Sequence, residues 1–471
     1  MKSYDIISNV HKKILFVIAV VAVSIRLGTL FYGIETFGTK DFLFIYGDTP
    51  GYVEPASNLI AGKGYSVDYS GTLYPDTTRP PGYPILIAAS LYFFESFLPL
   101  IALQIILAGI IPILGYALIL RLFQDRTPAL VVAWFLALEP IMVIISTTLL
   151  SETVFMAAFL SALVLFLSAF SENGTNRTLK LTLAGLLFSY AALVRPVGLY
   201  VLPVVALYAF YRLWKTQLPK KQFAALAAIF ILACAIPVGA WMTRNKVMAD
   251  SFTLTSLTGI VSYFRFGVSI IAVETGQNYD PVRQELSAKA QKDIGGELRG
   301  ARNVGYYQRE TRKIIREHFG AFVKLTGLGT FHLFTHDGYF DAVQRIVPDL
   351  NPPRSSAQIT LIARGEFSQL AEIAKKFLAW PWVIFVAARL LWMTVFFSAV
   401  YGFIMLWAKK SVPRPLLLFL IALIILFTIP SLTLGLAVEA RIRMPINIFL
   451  ISFAFYGAWH FKKILLKWKF F

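Results

Sequence analysis

The sequence predicts an all-α protein that crosses a membrane about ten times, with interfacial helices in its first outer loop and an outer soluble segment. Apolar residues fill 57% of the 471 positions and charged residues only 15%, and the mean hydropathy is +0.66. A soluble domain carries about 25% charged residues. Several apolar runs reach or approach the ~20 residues that span the hydrocarbon core of a bilayer.

Ten apolar segments are read as spans: residues 14–32, 98–120, 128–145, 153–170, 179–194, 197–211, 223–242, 377–407, 415–436 and 444–461. Basic residues precede the first run, as they do in a signal peptide. The run from Ile14 to Tyr32 is too long for one, however, and no clean cleavage site follows it. We therefore interpret it as an uncleaved first span.

The distribution of lysine and arginine predicts the orientation. With the N-terminus inside, the inner segments carry 18 basic residues, and the short outer links carry only Arg195, Arg441 and Arg443. Inner loops of membrane proteins hold this excess. We expect both termini to be cytoplasmic and the three arginines to lie on the outer face.

One apolar segment, Pro84 to Phe97, decides the parity of this arrangement. Counting it as a span would move most of the later basic loops outside. At 14 residues it is short for a span, and runs of 10 to 14 residues are more often interfacial or re-entrant. We place it on the outer membrane surface.

Three regions follow from these spans. Residues 1–242 form an N-terminal transmembrane module, interpreted as catalytic, whose first outer loop covers 33–97. Residues 243–376 form a second outer segment, and residues 377–471 hold the C-terminal transmembrane helices.

The net charge of +18 is spread over many short loops, and no nucleic-acid motif accompanies it. Membrane lipid headgroups and an anionic substrate are the expected partners, and nucleic acid is not. The single cysteine, Cys234, lies in an apolar run and excludes a disulfide framework.

Ionisable residues collect at the predicted outer ends of the spans. Those at the ends or in the outer loops are Asp48, Glu54, Asp68, Asp76, Glu152, Arg195, Arg244, Glu439, Arg441 and Arg443. Charges at a membrane boundary point to function by default. Carboxylates among several guanidinium groups suit a phosphate-bearing lipid substrate.

Structural roles are open for the same residues. Asp48 and Glu152 could cap helices, Arg79 could extend to lipid headgroups, and Arg195-Pro196 could form a hairpin tip. His332 and His336 have the helical spacing of metal ligands, but a third clear ligand is missing.

Ordered short motifs resemble the glycosyltransferase C superfamily, in the branch of the protein O-mannosyltransferases and aminoarabinose transferases. They are Asp48-x3-Tyr52, Arg79-Pro80-Pro81-Gly82-Tyr83-Pro84, Leu150-Ser151-Glu152, Val194-Arg195-Pro196, Trp241-x2-Arg244-Asn245 and Arg441-x-Arg443-x-Pro445. Some relatives carry Glu-Lys before the double proline, where this chain has Thr78-Arg79.

The resemblance implies a polyprenyl-phosphate sugar donor and an acidic catalytic residue in the first outer loop, a position that Asp48 matches. The substrate-binding residues expected on the same basis are Tyr52, Arg79, Tyr83, Glu152, Arg195, Arg244 and Arg441. No cofactor is firmly implied, and a divalent metal ion is left open.

The chemistry of these residues agrees with sugar transfer to a hydroxyl acceptor. One carboxylate can take the acceptor proton. The phosphate leaves without a second acid and needs positive charge instead. An in-line single displacement would invert the anomeric centre. A flippase or transporter for a lipid-linked sugar, a headgroup phosphotransferase and a non-catalytic assembly subunit are the alternatives.

Overall fold

The computed structural model of the protein describes residues 9–69, 71–170, 175–296, 298, 300–347, 365, 368–369, 375, 382–437 and 439–468. Nearly all of its regular structure is helical, which confirms the predicted all-α polytopic fold. The predictions for residues 1–8 and for most of 348–381, including the start of the predicted span 377–407, lie outside the described residues.

Twenty α-helices are described in chain order. They are α1 (Asn9–Phe37), α2 (Thr39–Leu43), α3 (Pro50–Ile60), α4 (Pro84–Phe94), α5 (Leu98–Phe123), α6 (Arg126–Leu138), α7 (Pro140–Ser146), α8 (Glu152–Ala169), α9 (Thr175–Val194), α10 (Val197–Lys215), α11 (Lys220–Ala249), α12 (Leu257–Val261), α13 (Val268–Thr275), α14 (Tyr279–Ile294), α15 (Val304–Glu317), α16 (Phe319–Thr335), α17 (Tyr339–Gln344), α18 (Val383–Ala408), α19 (Arg414–Leu432) and α20 (Met444–Trp468).

Shorter elements complete this list. A π-helical stretch, Ser262–Gly267, joins α12 to α13 without a break, and a 3₁₀ turn, Ala440–Arg443, leads into α20. Strands β1 (Ser66–Tyr69) and β2 (Thr72–Pro75) form an antiparallel hairpin between α3 and α4. This hairpin was not predicted from the sequence.

Ten passages run between the two ends of the bundle: α1, α5, the α6–α7 pair, α8, α9, α10, α11, α18, α19 and α20. We call the end that holds Asp48 the site end. Hydrogen bonds tie successive helix ends together there. Leu149 N donates to Leu43 O, and Gly82 N donates to Leu193 O.

The α6–α7 passage is broken at Glu139-Pro140, where the two helices meet at 52°. The break leaves helix carbonyls without their usual partners. The guanidinium of Arg26, which is 1% exposed, replaces these partners by donating to Leu136 O and Ala137 O. A charge at membrane depth is tolerated here because it replaces lost backbone hydrogen bonds.

Helix α4 packs at the site end and does not extend along the bundle. Tyr83, just before it, donates to Gln104 Oε1 at 2.7 Å, and Leu100 N donates to Ser90 Oγ at 3.3 Å. Both partners lie in the first turns of α5, so the chain enters and leaves α4 at the same end. Residues 84–94 therefore stay at the site end, and their position on the outer membrane surface stays a prediction.

The continuous helix Leu257–Thr275 is long and apolar enough to span a membrane, yet two observations argue against an eleventh crossing. It packs against α14 and α15, and both of these carry many exposed charges. Arg244 near the end of α11 contacts Asp76 O, and Trp392 near the start of α18 lies against Arg443, so both helix ends are at the site end. A crossing by residues 257–275 would need a second crossing to return, and the described residues between α11 and α18 offer no other candidate.

Candidate active site

Asp48 lies in the turn between α2 and α3, and that turn is held by its neighbour. Thr49 Oγ1 accepts from Ile45 N at 2.9 Å and donates to Leu149 O at 3.0 Å, which joins the turn to the end of α7. No side chain caps the first turn of α3. The Asp48 carboxylate is therefore free of a capping role and available for other partners.

Both oxygens of Asp48 meet arginines. Oδ1 accepts from Arg79 at 2.8 Å, and Oδ2 accepts from Arg441 at 2.7 Å. Burial on its own raises the pKa of this carboxyl, but the guanidinium groups of Arg441 and Arg79 outweigh it and hold the pKa well below its usual value. Asp48 is ionised at neutral pH.

Arg79 is positioned by an aromatic face and a hydroxyl. Its guanidinium lies 4.3 Å from the ring centre of Tyr52 and donates to the Tyr52 hydroxyl at 3.1 Å. That hydroxyl is also 3.1 Å from Ser151 Oγ, one residue before Glu152. Tyr52 thus connects the first outer loop to the start of α8.

Glu152 extends the charged cluster across the bundle. Its Oε1 pairs with Arg195 at 2.5 Å and lies 3.8 Å from Arg441, while its Oε2 is buried with no hydrogen-bond partner among the described residues. Arg441 also pairs through Nε with Glu439 at 2.6 Å. Positive and negative groups alternate from Arg79 through Asp48, Arg441 and Glu152 to Arg195.

This cluster borders a cavity of about 380 Å³. Tyr52, Arg79, Glu152, Arg195 and Arg441 line one wall. The second outer segment contributes uncharged polar groups to the lining: Thr255, Thr258, Ser262 and Gln308. The remaining lining is mostly apolar and comes from α8, α10, α12, α19 and the start of α20, and it includes the hydroxyl groups of Ser431 and Thr433.

An apolar pocket of about 560 Å³ adjoins the cavity at Tyr200, which lines both spaces. It lies between α10, α11 and the side of α19, and Leu199, Ile231 and Leu426 are among its lining residues. A charged cavity and an apolar pocket thus lie side by side.

Two predicted substrate-binding residues do not reach the cavity. Tyr83 is fully buried, bonded to Gln104 and packed edge-on against the Tyr52 ring at 5.2 Å. Arg244 donates to Tyr65 O at 2.8 Å and to Asp76 O at 2.6 Å. These contacts tie the end of α11 to both ends of the hairpin that precedes Arg79.

The loop before Arg79 contains a second buried carboxylate, Asp76. Its Oδ1 accepts from the backbone and hydroxyl of Thr78, and its Oδ2 has no hydrogen-bond partner among the described residues. Burial raises the pKa of Asp76, against the hydrogen bonds from Thr78. It fixes the backbone that presents Arg79.

His332 and His336 stand apart from this cluster, with ring centres 4.5 Å from each other. His332 Nδ1 contacts Arg389 at 3.2 Å, and burial together with Arg389 lowers the pKa of His332 to about 3. Within the described residues, no group of three or more His, Cys, Asp or Glu side chains could hold a metal ion.

Sequence reasoning missed the polar lining formed by Thr255, Thr258, Ser262 and Gln308. The first three recur at helical spacing, which was the available signal, but none of the four was among the substrate-binding residues predicted from the sequence. Ser262 also begins the π-helical stretch, and such stretches are frequent at functional sites.

A family model described as dolichyl-phosphate-mannose-protein mannosyltransferase matches residues 78–241, roughly one third of the chain. The match includes Arg79, Glu152 and Arg195, and confirms the predicted resemblance over that part of the sequence. No curated protein sequence matches the chain. The protein is thus a multi-pass membrane protein with a region similar to the mannosyltransferase family.

Proposed function

Starting from that match over residues 78–241, we propose that the protein transfers a sugar from a polyprenyl-phosphate donor to a hydroxyl acceptor at the outer face of the membrane. The reaction is an inverting single displacement. The observation that carries the proposal is the arginine and carboxylate cluster on the cavity wall, next to an apolar pocket between membrane helices. A phosphate attached to a long apolar chain needs both environments.

The donor phosphate binds among Arg79, Arg195 and Arg441. Guanidinium groups form paired, charge-assisted hydrogen bonds with phosphate oxygens. The same contacts stabilise the charge that develops on the phosphate as the sugar leaves. The polyprenyl chain lies against the apolar pocket beyond Tyr200.

Asp48 acts as the general base once the donor is bound. In the free protein its oxygens are engaged by Arg79 and Arg441, which keeps it a weak base. When the donor phosphate attracts the two guanidinium groups, the Asp48 carboxylate loses partners and its proton affinity rises. Donor binding thereby prepares the base for the acceptor hydroxyl.

Glu152 binds substrate, as its sequence position suggested. Glu152 lines the cavity, and its buried Oε2 has no hydrogen-bond partner among the described residues, so this oxygen can accept a hydrogen bond from a sugar hydroxyl. Arg244 and Tyr83 contribute from behind, Arg244 by holding the loop of Arg79 and Tyr83 by supporting the Tyr52 ring.

The proposed outer location of the site is supported by the distribution of basic residues. Helix ends and links opposite the site end hold Arg121, Arg126, Arg212, Lys215, Lys220, Lys221, Lys409, Lys410 and Arg414. This excess is characteristic of the cytoplasmic side. It supports a site end on the outer face and a cytoplasmic N-terminus.

The test uses purified full-length protein and polyprenyl-phosphate sugars labelled in the sugar, with mannose first because the family description names it. We expect label to reach a hydroxyl acceptor and the anomeric centre to be inverted. Asp48→Asn and Arg441→Gln should each reduce transfer at least about a hundred-fold. Glu317→Gln, on an exposed helix end, serves as the control.

Other products identify the alternatives. Transfer of the phosphate together with the sugar indicates a headgroup phosphotransferase. Movement of an intact donor across a vesicle membrane, without cleavage, indicates a flippase. Near-normal transfer by Asp48→Asn would remove Asp48 as the base while leaving the donor site in place.

A further inference from the structure

One face of α15 is strongly basic. Its exposed cationic residues are Arg309, Arg312, Lys313 and Arg316, and Arg302 joins them from the 3₁₀ turn Ala301–Asn303 that precedes the helix. Among the described residues, the four arginines form no ion pair or hydrogen bond, and Lys313 only approaches Glu317 at 3.8 Å. The positive charge of this face is therefore uncompensated.

The opposite face of α15 is already occupied. Val304, Tyr307, Thr311 and Ile314 are buried, and they pack against α12 and the π-helical stretch. The basic face thus carries charge alone, without an exposed apolar stripe. The neighbouring helix α14 differs, because its exposed charges are balanced between three acidic and three basic residues.

The basic face begins at the edge of the cavity. Gln308 lines the cavity, and Arg312 lies one helical turn beyond it on the same side of α15. Arg309 and Arg316 continue this face over roughly 10 Å of helix. A molecule that reaches the cavity past Gln308 meets these side chains first.

We propose that this face binds the acceptor, and that the acceptor is an anionic saccharide bearing phosphate or carboxylate groups. That the bound molecule is the acceptor rests on the proposed function. That the face binds an anion is argued independently, from its charge and its position beside the cavity. Thr258, Ser262 and Gln308 offer hydroxyl and amide groups to the saccharide end that enters the cavity. Arg309, Arg312 and Arg316 hold the anionic groups that follow.

A membrane surface is a poorer fit for the same face. Helices that lie on membranes insert an apolar face between lipid headgroups while their bases contact the phosphates. The apolar face of α15 is buried inside the protein, so only the charges are available. A soluble or surface-attached polyanion needs no such anchor.

The test measures binding of a fluorescent dextran sulfate oligosaccharide to full-length protein in nanodiscs of phosphatidylcholine. The variant Arg309→Gln/Arg312→Gln removes two exposed charges beside the cavity. The control Arg283→Gln/Lys292→Gln removes two exposed charges from α14. Uncharged dextran of the same length is the control ligand.

We expect the α15 variant to weaken dextran sulfate binding about ten-fold and to flatten its dependence on salt. The α14 variant should change it less than about two-fold. An equal loss in both variants would attribute binding to the overall charge of the protein and overturn the proposal. Stronger binding of uncharged dextran would do the same.

Two further measurements distinguish failure of this inference from failure of the proposed function. If nanodiscs containing phosphatidylglycerol displace the oligosaccharide, the face belongs to the membrane and the inference is wrong. Binding of polyprenyl phosphate is measured in the same samples. Its absence, with dextran sulfate binding still dependent on Arg309 and Arg312, would contradict the donor proposal and leave the anion-binding face standing.

Discussion

Asp48 and Arg441 are 393 positions apart, yet they share the shortest hydrogen bond that Asp48 makes. Charge type and motif order indicated both residues, because a carboxylate and arginines at predicted outer ends suggest a phosphate site. Their pairing depends on the positions of α3, α8 and the start of α20. No local pattern in the sequence encodes that contact, so the sequence predicted the members of the cluster and not its connectivity.

The depressed pKa of Asp48 gives a pH-dependent prediction. Because its folded-state pKa lies below the unfolded value of about 3.9, its ion pairs stabilise the fold fully above that pH. The stabilisation is lost as the pH falls through the folded-state pKa. Asp48→Asn should lower the free energy of unfolding by about 2 kcal/mol at neutral pH, and the difference from wild type should shrink below about pH 4.

Unfolding in detergent micelles at a series of pH values measures this difference. Asp250→Asn is the matched control, because Asp250 also has a lowered pKa beside Lys246 but is 84% exposed. Exposed pairs contribute little, so its variant should be nearly neutral. A pH-independent loss in Asp48→Asn would show that packing, and not charge, explains the effect.

Glu439 occupies a position beside Arg441 that the donor phosphate also needs. Its carboxylate pairs with Arg441 Nε at 2.6 Å, and the Glu439 side chain is 42% exposed. We predict that Glu439→Gln strengthens binding of polyprenyl phosphate about three- to ten-fold, because the variant removes both a competitor and a like charge.

Isothermal titration with a short-chain polyprenyl phosphate measures this gain. Glu317→Gln removes an exposed carboxylate from α15 and should leave the affinity unchanged. Unchanged or weaker binding in Glu439→Gln would mean that Glu439 positions Arg441 for the phosphate and does not compete with it. A purely structural role of Glu439 would not produce tighter binding, so the direction of the change in affinity distinguishes competition from positioning.

Element positions were easier to predict than element contacts. Apolar runs located the ten membrane passages, and the break at Glu139-Pro140, whose freed carbonyls Arg26 binds, lies inside one of them. The hairpin of β1 and β2 was missed because its strands are four residues each, too short for a periodic pattern. Arg244 was predicted to bind substrate, because the sequence does not distinguish an arginine that binds substrate from one that binds backbone carbonyls.

Helices α18 and α20 approach each other closely at two glycines. A Cβ at Gly402 would overlap the carbonyl oxygen of Phe453, and a Cβ at Gly457 would overlap that of Ser398. Small residues let membrane helices approach this closely. We predict that Gly402→Ala destabilises the protein by about 1–3 kcal/mol through forced separation of the helices.

Gly239→Ala is the matched control for that substitution. Gly239 lies inside membrane helix α11, and a Cβ there would meet no atom within 4 Å. Alanine is favoured over glycine in a helix interior by about 0.5–1 kcal/mol, so this variant should be neutral or slightly stabilising. Thermal unfolding of both variants in the same detergent distinguishes local crowding from a general effect of added methyl groups. Equal melting temperatures for the two variants would contradict the close-crossing interpretation.

At the scale of the whole molecule, the sequence left the number of crossings dependent on a single short segment. The structure adds a second such segment, Leu257–Thr275, which is long and apolar enough to cross. Three-dimensional contacts decide both cases. Arg244 binds the hairpin loop, and Arg441 binds Asp48, so the ends of α11 and the start of α20 must lie on one side. Length and hydropathy carry no information about such contacts.

Cysteine labelling tests this arrangement in intact cells. In a Cys234→Ala background, single cysteines replace Asp250, Gln284 and Lys410, which are all exposed. We expect an impermeant thiol reagent to label positions 250 and 284 from outside, and position 410 only after the cells are opened. Opposite accessibility of 250 and 284 would mean that residues 257–275 cross the membrane. Labelling of 410 alone from outside would invert the bundle, and the proposed outer-face reaction would then be excluded even though the cluster around Asp48 remained intact. Topology and chemistry are thus separately testable, because the charged cluster depends on contacts between helices and its side of the membrane depends on the loops at the opposite end.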